Sequence, residues 1–127
     1  METNERVVFR KIREDLRRYG WTVLSTPYHD EVFIHTLGLH WSYQHPDLEV
    51  IGLPDDLGTT LLNELAQRVK NGHRFRSGDR IEDVAEDVAL WVTSNPLDPA
   101  GPALLNGRLR IIWPDDADRY PWEPDCE

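Results

Sequence analysis

Apolar residues recur along this chain with two different periods, and the switches between them predict its elements. From residue 4 to 19 the positions Val8, Ile12, Leu16 and Tyr19 follow the i, i+4, i+8, i+11 spacing of one helical stripe. Gly20 stands where a left-handed C-terminal cap belongs, and Arg17 and Arg18 suit the negative end of the helix dipole. The period then drops to two. WTVLS (21–25) and VFIHTLG (32–38) flank the turn-forming TPYHDE and predict an antiparallel pair. LEVIGLP (48–54) reads as a third strand. Pro54, Asp55 and Asp56 mark a helix start, and LGTTLLNELAQRVKNG directs Leu57, Leu61, Leu65 and Val69 inward before Gly72 ends it. A polar stretch rich in Arg and Gly leads to VALWVT (88–93), apolar on both faces and therefore a central strand. After the proline-rich loop SNPLDPAGP, RLRIIWP (108–114) sets Leu109, Ile111 and Trp113 on one face against Arg108 and Arg110 on the other.

Helices and strands in this order do not alternate regularly, which disfavours a doubly wound parallel sheet. The expected fold is α+β, a mostly antiparallel sheet of about five strands with two main helices packed on it. At 127 residues the chain has the size of a single domain. We divide it into an N-terminal amphipathic helix (1–20), an α+β core (21–114) and an acidic tail rich in Trp and Pro (115–127).

Charge narrows the classes of partner. Against 14 basic residues stand 23 acidic ones, a net of −9, which argues against bare nucleic acid or an anionic membrane as the main partner. The balance is uneven. Residues 1–20 carry six bases and four acids, a net of +2, so the remainder carries −11. Such an acidic balance suits either docking on a basic protein partner or simple solubility. No window has the length or apolarity of a membrane span, and the N-terminus lacks the apolar run of a signal peptide. The single cysteine, Cys126, cannot form an internal disulfide, and a reducing cytoplasm is the expected compartment.

Candidate chemistry centres on FIHTLGLHWSYQHPDLEVIGLP (33–54), where His35, His40 and His45 recur every five residues. Strand alternation puts His35 between Phe33 and Leu37 on one face, partly buried. A spacing of five places no two donors on one face of a helix or strand. A divalent metal therefore needs a folded loop that converges all three histidines, with Asp47, His29 or a tail acid to complete the shell. His35, His40 and His45 are also candidate general bases. The chain has no G-x-S-x-G and no phosphate-binding glycine loop, and Cys126 lies among acids that raise its pKa. In LRIIWPDDADRYPWEP (109–124) prolines enforce an extended course. Trp113 and Trp122 there either cover a core edge or stack on a ligand or partner.

T-L-G-L (36–39), H-P-D-L (45–48), I-G-L-P (51–54), L-L-N-E-L-A-Q-R-V (61–69) and W-P-D-x-x-x-R-Y-P-W-E (113–123), taken together in this order, resemble the bacterial domain of unknown function 4262 family. The resemblance spans about residues 19–124. It marks Thr36, Gly38, Leu39, His45, Pro46, Asn63, Trp113, Pro114, Asp115, Arg119, Pro121 and Trp122 as pattern positions. Two positions depart from it, with Asp118 in place of a glycine and Arg110 in place of a polar residue that is usually glutamine. His35 and His40 lie outside the matching positions. Because the family name records no activity, the resemblance implies a fold and a set of residues only.

The favoured expectation is a small binding module, regulatory or accessory, that meets a basic partner through its acidic surface. An inhibitor of a basic nuclease or toxin would be one form of it. Trp113, Trp122, Thr36, His40 and Asn63 are the candidate contacts. The alternative is a small enzyme or metal protein at the edge of the sheet, in which Asp115 orients His45 or His35 and Arg119 holds an anionic substrate.

Overall fold

The computed structural model describes residues 2–85, 88–96 and 107–114. Their elements run α1 (Glu2–Arg18), β1 (Thr22–Tyr28), β2 (Glu31–Leu37), α2 (Leu39–Tyr43), β3 (Asp47–Ile51), α3 (Asp55–Lys70), β4 (Arg80–Ala85), β5 (Val88–Thr93) and β6 (Arg108–Ile112). The strands form one sheet in the order β1-β2-β3-β6-β5-β4. Neighbouring strands are antiparallel except β3 and β6, which run parallel. The architecture is thus α+β as expected, with three helices, one extra strand and one parallel pair.

The extra strand, β4, lies in the polar stretch before VALWVT. Its sequence RIEDVA alternates too briefly to announce a strand, and Ile81 is buried while Val84 is only partly covered. It also pairs on one side only, with β5, across an irregularity between Ile81 and Ala85. β1 runs further than expected, through Pro27 to a two-residue loop at His29 and Asp30. It is an edge strand, where a proline without an N–H is tolerated. VALWVT lies between β6 and β4, an interior position.

α3 packs over β1, β2 and β3. The buried stripe of the helix is Gly58, Leu62, Leu65, Ala66 and Val69, rotated from the Leu57 and Leu61 anticipated above. Gly58 accounts for the rotation. A Cβ there would strike Ile34 Cδ1, with Leu53 Cβ and Val50 Cγ1 each at 3.5 Å. The bare glycine therefore lets the helix come down onto the sheet along this line. Leu57 is turned out, 51% exposed, and Leu61 is only partly covered. The core beneath comprises Ile34, Leu48, Val50, Leu90, Val92, Leu109 and Ile111, so Leu109 and Ile111 face inward as the strand pattern required.

α1 departs more. It contacts β1, but Val8 of its apolar stripe is 51% exposed, Tyr19 is exposed, and Ile12 and Leu16 are half-covered. Only its last turns meet the domain, because an edge strand offers a helix little surface. At the junction, Gly38 (φ +111°) packs against the α1–β1 turn, and a Cβ on it would lie 2.8 Å from the Gly20 carbonyl oxygen and 3.3 Å from Trp21 Cα. Left-handed strain and backbone overlap both oppose a side chain there. Gly38→Ala should cost about 2–4 kcal/mol in urea unfolding. Gly78→Ala, at a similar φ of +101° but in open space, should cost about 1 kcal/mol.

Candidate functional site

The histidine stretch folds into a joint. Gly38 turns the chain from β2 into the short helix α2, and Gln44 in a left-handed conformation ends that helix. Thr36, buried on β2, donates its hydroxyl to Asp47 Oδ1 (2.8 Å) and accepts the Leu48 N–H (2.9 Å). The same Asp47 oxygen accepts the Leu39 N–H (3.0 Å), which satisfies one of the free amides at the start of α2. Ser42 and Tyr43 then tie α2 to the carbonyls of Gly20 and Tyr19. T-L-G-L and H-P-D-L are two halves of this single interlock.

His45 completes it. The ring is 1% exposed, its Nδ1 lies 2.7 Å from the Pro46 carbonyl oxygen, and Nε2 lies 3.0 Å from the Phe75 N–H. A carbonyl only accepts and an amide N–H only donates, so the ring is the neutral tautomer with its proton on Nδ1. Burial pushes its pKa below the ordinary histidine value and Arg74 adds to this, against the opposing pull of the Pro46 carbonyl and of Asp47. Both nitrogens are committed to the backbone. His40 is exposed on α2, and His35 sits on β2 with Nδ1 3.0 Å from the Thr36 carbonyl oxygen. Among the described residues no group of three or more His, Cys, Asp or Glu is arranged to hold a metal. Asn63 accepts the Trp21 indole N–H at 2.9 Å, joining α3 to the start of β1. Asp115, Arg119, Trp122 and Cys126 lie outside the described residues.

A polar row crosses the sheet face turned away from α3. His35 pairs in register with Glu49, and Glu49 with Arg110. Glu49 is 3% exposed. Arg110 gives its Oε2 a double contact, Nη2 at 2.6 Å and Nε at 2.8 Å, and Arg108 stands 3.5 Å from Oε1. The Arg108 guanidinium lies 5.8 Å from the centre of the Phe33 ring, which itself stacks on His35 at 5.2 Å. A buried carboxylate between two guanidiniums is neutralised where it stands. Arg110, one of the departures from the resembled pattern, is the principal counter-charge to Glu49.

The third feature is a cleft. α3 covers the β1–β3 side of the sheet, and beside it, toward β4 and β5, an open groove of about 590 Å³ is lined by Leu53, Leu57, Leu61, Val84, Leu90 and Trp113, with Glu64, Arg68 and Asp83. Arg68 spans from α3 to β4, bonding Glu64 at 3.1 Å and Asp83 at 2.8 Å. These bonds raise the Arg68 pKa, and Arg68 lowers that of Asp83. Among the described residues that line the groove, the one arginine is thus engaged by two carboxylates. Sequence periodicity assigned Leu57 and Leu61 to the core. The signal that placed them in a cleft was Gly58, whose effect depends on Ile34 twenty-four positions away.

A family model described as Domain of unknown function (DUF4262) matches residues 15–127. The chain belongs to this family. No curated protein and no solved structure matches it. In this DUF4262 chain Thr36 and Asp47 of the T-L-G-L and H-P-D-L stretches serve the α2 joint and Asn63 holds the Trp21 indole, whereas Leu53, Leu61 and Trp113 of the other quoted stretches line the cleft. No helix among the described residues is long and apolar enough to cross a membrane.

Two measurements check this site. The folded-state pKa of His45 lies below the unfolded value of about 6.5, so the unfolded chain binds more protons in that window. Its contribution to stability is complete above pH 6.5 and is lost as pH falls toward the folded pKa. His45→Gln should flatten the stability profile below about pH 6.5, and His45→Ala should cost about 3 kcal/mol by orphaning the Phe75 amide. In parallel, Arg110→Ala should cost about 3 kcal/mol by stranding the Glu49 carboxylate, whereas Arg108→Ala, more exposed and more distant, should cost about 1 kcal/mol or less in urea unfolding.

Proposed function

We propose that this DUF4262 protein is a small binding module with a regulatory or accessory role, and that its cleft between α3 and β4–β5 holds an apolar and basic segment of a partner protein. The observation that carries the reading is an apolar groove whose lone arginine is already engaged by Glu64 and Asp83. An occupant gains by burying its own apolar side chains against Leu57, Leu61, Leu90 and Trp113. A volume of about 590 Å³ suits a few such side chains. Its basic residues meet Glu64, Asp83 and the exposed Asp55 and Asp56 at the start of α3. The net charge of −9 steers a basic partner from a distance. No nucleophile or metal is needed for this work.

A second reading, a small enzyme, rests on His35. Its Nδ1 is fixed by the Thr36 carbonyl and it stands opposite Glu49 on the sheet face away from α3. The two readings use opposite faces of the sheet, which one titration distinguishes. An amphipathic helical peptide of leucine and lysine, added to isotopically labelled protein, should shift the resonances of Leu61, Leu90 and the Trp113 indole. The affinity should weaken on the order of tenfold between low and high salt. Shifts confined to the His35 face, or no binding at about 1 mM peptide, would refute the cleft reading.

A further inference from the structure

We infer that the exposed half of α1 is itself a ligand for this cleft, and that two copies of the chain associate by docking α1 of each into the α3–β4–β5 groove of the other. The inference rests on the binding reading above and names its first occupant. α1 leaves Val7, Val8 and Phe9 54%, 51% and 62% exposed, three large apolar residues in less than one turn. Val8 and Phe9 lie on one stripe with Ile12 and Leu16, the two residues that do meet the domain. The apolar face therefore continues past the point where its own domain stops covering it. Valine and phenylalanine are only moderate helix formers, so exposed turns rich in them gain from a surface to pack against.

Charge selects the surface. Residues 7–18 carry five bases (Arg10, Lys11, Arg13, Arg17, Arg18) and two acids, while the chain beyond residue 20 carries −11. The cleft presents the complementary arrangement, leucines and Trp113 beside Glu64 and Asp83. A basic amphipathic helix is the class of ligand proposed for the groove, and α1 is such a helix. Topology decides that the contact is between copies. α1 packs on β1 at one edge of the sheet, whereas β4 forms the opposite edge, with α3 standing between α1 and the groove. Six strands at about 4.8 Å spacing separate these edges by roughly 24 Å. α1 cannot fill the groove of its own chain without leaving β1. Reciprocal docking closes the pair as a two-fold dimer and leaves no open end for further addition. The family match begins at residue 15, so Val7, Val8 and Phe9 lie outside the stretch matched by the family model.

The test uses the full chain in sedimentation equilibrium at low salt and about 100 µM. The wild type should approach twice its 14.8 kDa. Val8→Glu/Phe9→Glu and, separately, Leu57→Glu change exposed residues and should each weaken association on the order of tenfold or more. Mixing the two variants should restore a heterodimer, because one supplies an intact cleft and the other an intact α1. The leucine–lysine peptide should bind Val8→Glu/Phe9→Glu at least as well as wild type, and Leu57→Glu poorly. A wild type that stays monomeric while the peptide still binds overturns the α1 inference and leaves the cleft reading standing. Failure of the peptide with dimerisation intact in Leu57→Glu overturns both. A monomer that instead binds phosphatidylglycerol vesicles through Val8 and Phe9 assigns α1 to a membrane surface and also overturns the inference.

Discussion

A neutral imidazole shut away from water holds the two ends of this domain in register. His45 takes the Pro46 carbonyl on one side of its ring and the Phe75 amide on the other. The first group belongs to the approach to β3, and the second to the segment that leads from α3 to β4. Without the ring the buried Phe75 amide would lose its partner, at a cost of about 1–3 kcal/mol. Its joint is reinforced from the β2 side by Thr36 and Asp47, and from the α1 side by Gly38, Ser42 and Tyr43. Arg74 adds a bond to the Tyr43 carbonyl. The position of β4 relative to α3 is therefore fixed by contacts that begin in the α2 turn. That same separation forms the walls of the cleft.

Much of the α+β plan was legible because it follows from local periodicity. The strand at 108–114 announced its two faces correctly, as Leu109, Ile111, Arg108 and Arg110 show. Features that depend on contacts distant in sequence were not legible. β4 carries one fully buried residue among those described, Ile81, with Val84 partly covered, and takes its strand form from pairing with β5. Helix α3 is rotated because Gly58 meets Ile34, a fact absent from helical spacing. The five-residue interval of the histidines put no two rings on one face of a helix or strand and left open only a converging loop, and the fold spends each ring differently: one in the joint, one on β2 and one in solvent. Thr36 and Asn63, pattern positions of the resemblance and candidate contacts, each make internal hydrogen bonds in the structure. Glu49 gave no sequence signal, since its burial depends on Arg110, sixty-one residues on.

This division of labour explains how a reactive-looking stretch and an inert one can exchange importance. His45 and the H-P-D turn stabilise and orient the domain. The leucines beside them, unremarkable as sequence, form the surface on which binding is proposed. The charge asymmetry fits the same scheme, with a basic helix at one edge of a domain that is acidic elsewhere. Association between copies and association with a basic partner would then compete for a single groove, and the chain's own concentration would regulate access to it.

The claim on which this account depends is that His45 is a fixed neutral joint. A long-range proton–nitrogen spectrum of the imidazole at pH 7 tests it directly. The account predicts a protonated Nδ1, an unprotonated hydrogen-bonded Nε2, and an Nδ1 proton that exchanges slowly with water. A ring protonated on Nε2, a doubly protonated ring, or rapid exchange at Nδ1 would contradict it.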